Sequence, residues 1–336
     1  MARAPALHAG GHRFDSGIFH QNMGQKPMAG RLICNQIVWV RFPLCPQKIK
    51  INYENRRKVA GRTLVTEEYK SYCDVNKIDF KMDDNVKSYD ETTLFCPAGM
   101  QQFKSKFKDL NYKGTISNIQ SCLRLNDIDE IGDGSHLLYF NMIGFFSFRE
   151  WTVPQTINYW LNFLEIIGIK PDYVTIHPDK PEWSDFYKDI EVRFDEECIW
   201  SDGDIGGYCT EFYKDGIEIG NIVNPLGTCI DVGFGLERLE IILSKQIKTK
   251  EQTLYETTIK IIECGIIPGN TKQGYVLRKL LRLCYINSIE IEHPFFISEI
   301  ERQNKIINRY NLLKDKHKDK PKEWWWDTHG IDIDLI

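Results

Sequence analysis

The stretch GTCIDVGFGLERLE, residues 227 to 240, sets one carboxylate, Asp231, shortly ahead of Gly233, Gly235 and then Arg238. Two glycines let a ligand come close to the main chain. The carboxylate suits an ammonium group. Arg238 enters a helix whose N-terminus already favours anions, which suits a phosphate. A ligand held this way has one cationic end and one polyanionic end. The alternative is that the stretch only packs a strand onto a helix, because Gly-x-Gly lacks the third glycine of a dinucleotide fingerprint.

A second stretch, SCLRLNDIDEIGDGSHLLYFNM, ends one strand at Arg124 and returns through a polar loop to Phe140 and Met142. An arginine for an α-phosphate beside an aromatic face for a purine outlines a nucleotide site. The bland alternative is a surface ion pair of Arg124 with Asp127 or Asp129. His136, in the same loop, either touches a phosphate or is satisfied within the protein.

The elements that must position these residues follow from periodicity. HLLYFNMIGFFSF (136 to 148) alternates as a long strand with an aromatic face, GIEIGNIVN (216 to 224) alternates again, and CIDVGFGLERLEIIL runs from strand through glycines into helix. ETTLFCPAGMQQFKSKF (91 to 107) predicts a short strand, a turn at Pro97 to Gly99 and a helical run carrying Phe103 and Phe107. With a helical stretch at 156 to 168, TINYWLNFLEIIG, this spells an α+β fold: a largely antiparallel sheet with helices against it.

Composition agrees with a globular chain of 336 residues, 42% hydrophobic and 27% charged. A net charge of -4 gives no global positive field for nucleic acid or membrane, so any basic surface must be local. No apolar stretch is long enough to span a bilayer and no signal-peptide core opens the chain, so the expected location is the cytoplasm. The ten cysteines form no Cys-x-x-Cys pair and have no histidine at ligand spacing. They read as reduced and packed, without a zinc site.

The series TTLFCPAGMQQFKSKF, SCLRLNDIDEIG, YFNMIGFFSF, IWSDGDIGGYCTEFY, EIGNIVN, IDVGFGLERL and GYVLRKLLR, in this order over residues 90 to 285, resembles the catalytic core of alanyl-tRNA synthetases, a class II aminoacyl-tRNA synthetase family. The resemblance implies a six-stranded antiparallel sheet with flanking helices. It also implies bent ATP with Mg²⁺, and attack of an amino-acid carboxylate on the α-phosphate. By position it places Arg124 on the α-phosphate and Arg238 on the γ-phosphate. Asp231 takes the amine with Gly233 beside it, and Asn221 and Trp200 line the amino-acid pocket. Phe140 stacks on adenine with Met142 on the same strand, and Glu218 offers a carboxylate to Mg²⁺. Glu211, in CTEFY, equally reads as structural. The acceptor is tRNA, and the amino acid is alanine or another small one, glycine or serine. Two other readings stay open: an adenylating ligase with a non-tRNA acceptor, and an inactive paralogue that binds tRNA or a true synthetase.

Departures from the family pattern fall around the ATP loop. The loop after Arg124 is short, an Arg-His-His run is reduced to Ser135-His136-Leu137, and Gly206-Gly207-Tyr208 replaces a Gly-Pro-Cys-Gly-Pro stretch. The family's editing domain has no counterpart in the sequence, so no editing is expected. YVLRKLLRLCY puts Arg278 and Arg282 on one helical face with Lys279 near them, and predicts a core stripe at Val276, Leu280 and Leu283. With the basic tail and Trp324 to Trp326, that face either grips a tRNA acceptor stem or is a solvated helix end with a hydrophobic clasp.

Three segments are expected: a leader at 1–48, a catalytic domain at 49–245, and a helical segment with a basic, Trp-rich tail at 246–336. Arg13-Phe14-Asp15-Ser16 and Val40-Arg41-Phe42-Pro43 can both be encoded by one nucleotide string, GGTTCGATTCC, in two frames. That string looks like a tRNA T-arm, so the leader reads as tandem tRNA genes translated from a misassigned start. The alternative is a disordered basic arm.

Overall fold

The computed structural model describes residues 60–329 and Ile331; the leader expected at 1–48 lies outside the described residues. The described residues fall into two compact units, 60–248 and 249–331. No helix among them is long and apolar enough to cross a membrane.

The first unit is a nine-stranded sheet: β1 Asp79–Asp83, β2 Gly114–Leu123, β3 Tyr139–Phe148, β4 Tyr173–Ile176, β5 Glu191–Phe194, β6 Ile199–Asp202, β7 Ile205–Lys214, β8 Ile217–Val223 and β9 Cys229–Gly235. The order is β1-β2-β3-β9-β8-β7-β4-β5, with β6 paired to β7 alone. The six strands from β2 to β4 in that order are antiparallel throughout, whereas β1 joins β2 and β5 joins β4 in parallel. The antiparallel sheet expected from the sequence is therefore its centre, framed by a parallel strand on each side.

Alternation sends each strand's side chains to two faces, and both are covered. One face, with Ile119, Phe145, Val232 and Phe234, packs under α1 (Ala60–Val75), α3 (Val153–Ile166) and α4 (Leu236–Ser244). Trp160 of α3 stacks flat on Phe234, centroids 4.3 Å apart. A capping box between Thr152 and Gln155 starts α3, satisfying N–H groups that a helix end leaves open. The opposite face carries Phe140, Met142, Phe146 and Phe148 and is covered by Met100, Phe103 and Phe107. Those three come from a 3-10 turn, Gly99–Phe103, that runs into α2, Lys104–Lys108. The strand predicted ahead of that turn is only a single bridge, Phe95 to Lys87.

The second unit holds α5 (Lys250–Glu263), α6 (Lys272–Ile286), α7 (Pro294–Leu313) and α8 (Lys322–His329). Helix α6 buries Leu277, Leu280, Leu281 and Cys284, one residue on from the predicted stripe at Val276 and Leu283. Leu277 and Leu281 bring the stripe to full helical spacing, which the basic residues between them disguised. Glu299 of α7, 5% exposed, sits 3.0 Å from Arg278 Nε and 3.2 Å from Arg282 Nε. Trp325 is buried against Tyr310, ring centroids 5.0 Å apart.

Candidate active site

Directly opposed residues of an antiparallel pair face the same side. The register Glu211↔Asn221↔Gly233↔Gly144↔Asn118 therefore draws one row across the face away from α1, α3 and α4. The next row reads Cys209↔Val223↔Asp231↔Phe146. Asp231, Gly233 and Asn221, predicted from the sequence to bind an amino acid, lie side by side in the middle of the sheet. Asn221 stands opposite Gly233 and next to Asp231's row. A Cβ on Gly233 would come 3.0 Å from Met142 Sδ, so the absent side chain leaves only a small space beside Met142.

The Asp231 carboxylate is 8% exposed and has no hydrogen-bond or ion-pair partner among the described residues. Burial, and after it the charge of Asp202, push its carboxyl up to about 7. A buried carboxylate without a cation is costly, and a ligand ammonium would relieve that cost. Asp202 was not singled out from the sequence. It follows Trp200 by two in β6, so both point to one side of that strand. Lys104 Nζ bridges Asp202 at 2.9 Å and Asp90 at 3.0 Å. Trp200 is half-buried and packs against the Phe140–Met142 cluster and against Cys198, Cys209 and Val223.

At the end of the same face a cleft partly open to solvent is lined by Arg124, His136, Leu137, Phe140, Glu237 and Arg238, among others. Arg124 follows the last residue of β2; its Nε donates to Pro97 O at 3.0 Å and its guanidinium lies 5.2 Å from the Phe140 ring centre. Arg238 sits in the first turn of α4, where its Nη1 donates to Glu218 O at 2.6 Å and lies 3.5 Å from Glu218 Oε2. The two arginines are thus anchored with their charge at the cleft. Glu237, also missed in the sequence, accepts from Asn141 N at 2.8 Å and Asn141 Nδ2 at 2.9 Å, tying α4 to β3.

Four of the residues predicted for ATP, Arg124, His136, Phe140 and Arg238, meet in this cleft. Met142, the fifth, lies two residues further along β3, against Gly233. His136 is 6% exposed with Nδ1 2.5 Å from Asp133 and Nε2 3.2 Å from Glu130, so its ring braces the loop between two carboxylates. Partial burial works against it, yet hydrogen bonds from the His136 and Ser135 amides and the His136 ring hold Asp133 down at about 2. Glu218 is 3% exposed and lies behind Arg238 rather than in the cleft lining. Both Glu218 and Glu237 supply the hard oxygen atoms Mg²⁺ takes, and Glu237 is the one that lines the cleft. Arg278, Lys279 and Arg282 belong to the second unit, where Glu299 takes up the two guanidinium groups.

Comparison with known proteins gives this geometry its context. The family model described as tRNA synthetases class II (A) matches residues 82–258. An alanine–tRNA ligase of Chlamydia muridarum is 29% identical over 290 residues, covering 61% of this chain and 33% of that protein. One of Francisella tularensis subsp. novicida is 29% identical over 312 residues, covering 68% and 36%. The chain thus spans about a third of the length of the curated relatives it matches. Among solved structures, a pyrrolysyl tRNA synthetase of Desulfitobacterium hafniense aligns at 14% identity with a TM-score of 0.39, over 57% of this chain and 72% of that one.

Proposed function

Because the chain belongs to the class II (A) tRNA synthetases, we propose that it activates alanine with ATP and passes the alanyl group to tRNA. One observation carries the reading: a buried carboxylate, Asp231, without a partner among the described residues, on the same sheet face as a cleft lined by two anchored arginines. An amino acid's ammonium suits the carboxylate, and a nucleotide's phosphates suit the arginines.

In this reading the substrate ammonium sits on Asp231 with Asn221 and Trp200 beside it. The substrate carboxylate points towards Arg124. One of its oxygens bonds to the α-phosphorus, the bond to the bridging oxygen breaks, and pyrophosphate leaves with both electrons of that bond. Arg124 steadies charge on the α-phosphate and Arg238 on the leaving end; no protein nucleophile is needed, so positioning and charge carry the step. Bound Mg²⁺, met by Glu218 or Glu237, adds charge neutralisation on the phosphates. A tRNA ribose hydroxyl then attacks the alanyl carbonyl, loses its proton, and AMP leaves. Gly233 and Met142 set a small pocket, which suits alanine, glycine or serine; one methyl group separates such substrates by only about 1 kcal/mol or somewhat more.

ATP–pyrophosphate exchange across the amino acids tests activation without involving tRNA. Alanine-dependent exchange supports the reading, and no exchange with any amino acid rejects it in favour of an inactive paralogue. Exchange without alanyl-tRNA formation would instead point to a different acceptor. Arg278 and Arg282 are occupied by Glu299, so of the three residues expected to grip tRNA, Lys279 is the one outside those ion pairs.

A further inference from the structure

Ten residues separate Cys198 from Cys209 in the sequence, and the β6–β7 hairpin brings them together. They flank the Ile199↔Tyr208 pair, and Cys209 N donates to Cys198 O at 2.9 Å. Glu211, two residues on, points to the same face as Cys209. The two sulfurs and one Glu211 oxygen all lie within 4.8 Å of one another. All three residues are buried, at 0%, 2% and 4% exposure. From these residues we infer a binding site for a thiophilic divalent cation, zinc first, with Cys198 Sγ, Cys209 Sγ and Glu211 as its ligands.

The dimensions suit that ion. Zinc holds sulfur at about 2.3 Å and carboxylate oxygen at about 2.1 Å, so tetrahedral ligands stand about 3.5 to 3.8 Å apart. Cys209 Sγ is already 3.9 Å from Glu211 Oε1. Supporting groups are in place: Tyr213 OH donates to Glu211 Oε2 at 2.7 Å, Thr175 Oγ1 donates to the same oxygen at 3.2 Å, and Cys198 Sγ lies 3.1 Å from Thr175 Oγ1. Such partners orient ligands and turn Oε1 towards the sulfurs. Binding the cation releases the two thiol protons to solvent. Two sulfur donors favour zinc over Mg²⁺ or Ca²⁺.

The role follows from distance. The site lies on β7, two strands from Asp231, and strands stand about 4.8 Å apart, so the ion is about 10 Å from the proposed amine position. That is too far for it to touch the substrate amine. It instead pins the β6–β7 hairpin to the sheet. Trp200 packs against Cys198, Cys209 and Val223, and Asp202 follows it on the same strand. The ion is therefore a positioning element for the pocket wall, and its presence does not depend on the acceptor or on catalysis.

The test uses the full chain and no activity. Protein purified without chelator is analysed for bound metal, stripped, and titrated with Co²⁺. One equivalent of zinc as purified, and a thiolate-to-cobalt absorption band with tetrahedral visible bands at one equivalent of Co²⁺, are expected. Cys198→Ser and Cys209→Ser should each diminish that band and weaken binding by more than the roughly tenfold cost of losing an outer partner, while Cys264→Ser leaves it intact. Glu211→Gln, which keeps the shape, should shift the visible bands and decides the matter should a serine variant fail to fold. Absence of a thiolate band in the wild type, an undiminished band in folded Cys198→Ser, or a Cys198–Cys209 disulfide in freshly purified reduced protein would overturn the inference.

Discussion

Asp202 on β6 bears by its charge on the buried Asp231 carboxylate of β9, and burial together with that charge pushes the Asp231 carboxyl up to about 7. A substrate ammonium needs that group ionised. Alanine affinity should therefore rise about tenfold per pH unit up to about 7 and then level off. Asp202→Asn should move the break to lower pH, since one source of the upward push is gone. For the free protein the sign is the reverse. A carboxyl raised on folding adds stability that is complete below its unfolded value of about 3.9 and is lost as pH rises through about 7. Calorimetric titration of alanine across this range, with urea unfolding alongside, measures both; a flat affinity profile would refute the assignment.

The two arginines should part company when stability and exchange are measured together. Arg124→Ala should lower alanine-dependent exchange at least about 10²-fold. The bond to Pro97 O that it removes is worth about 1 kcal/mol of stability. Arg238→Gln should lower exchange similarly but destabilise by about 3 to 5 kcal/mol, because Glu218 keeps a buried charge. Adding Glu218→Gln should restore the fold and leave exchange low. Recovery of exchange in that double variant would show that Arg238 acts only through folding.

Gly233→Ala tests the size of the pocket. The new Cβ meets Met142 Sδ at 3.0 Å, a flexible side chain that can yield by a few tenths of an ångström. The fold should hold while the pocket loses a methyl's worth of space. Exchange kinetics should show kcat/KM for alanine falling more than that for glycine; equal losses would remove Gly233 and Met142 from the pocket floor.

The strands that carry the site were legible because their pattern is local. Alternation in HLLYFNMIGFFSF and the strand-to-helix step at Asp231 to Arg238 each lie within one stretch of chain, and the structure has β3, β9 and α4 there. Residues whose role depends on distant partners were not legible. Asp202 gains its meaning from Lys104 and from the strand carrying Asp231. Glu237 gains its own from Asn141, and Arg278 and Arg282 from Glu299, twenty-one and seventeen residues further on. The cysteines show the same limit. Spacing rules look for ligands close in sequence, whereas Cys198 and Cys209 meet only when the hairpin closes.

Whether Asp231 receives the substrate ammonium is measured by Asp231→Asn. The substitution keeps the side chain's shape and a polar contact but removes its charge. With the folded variant, ATP and alanine are titrated separately by calorimetry. A loss of alanine binding worth about 2 to 5 kcal/mol is predicted, with ATP binding nearly unchanged because its phosphates sit on Arg124 and Arg238. Equal effects on the two ligands, or near-normal binding of both, would contradict the claim and leave Asp231 as a support for the Gly233 backbone.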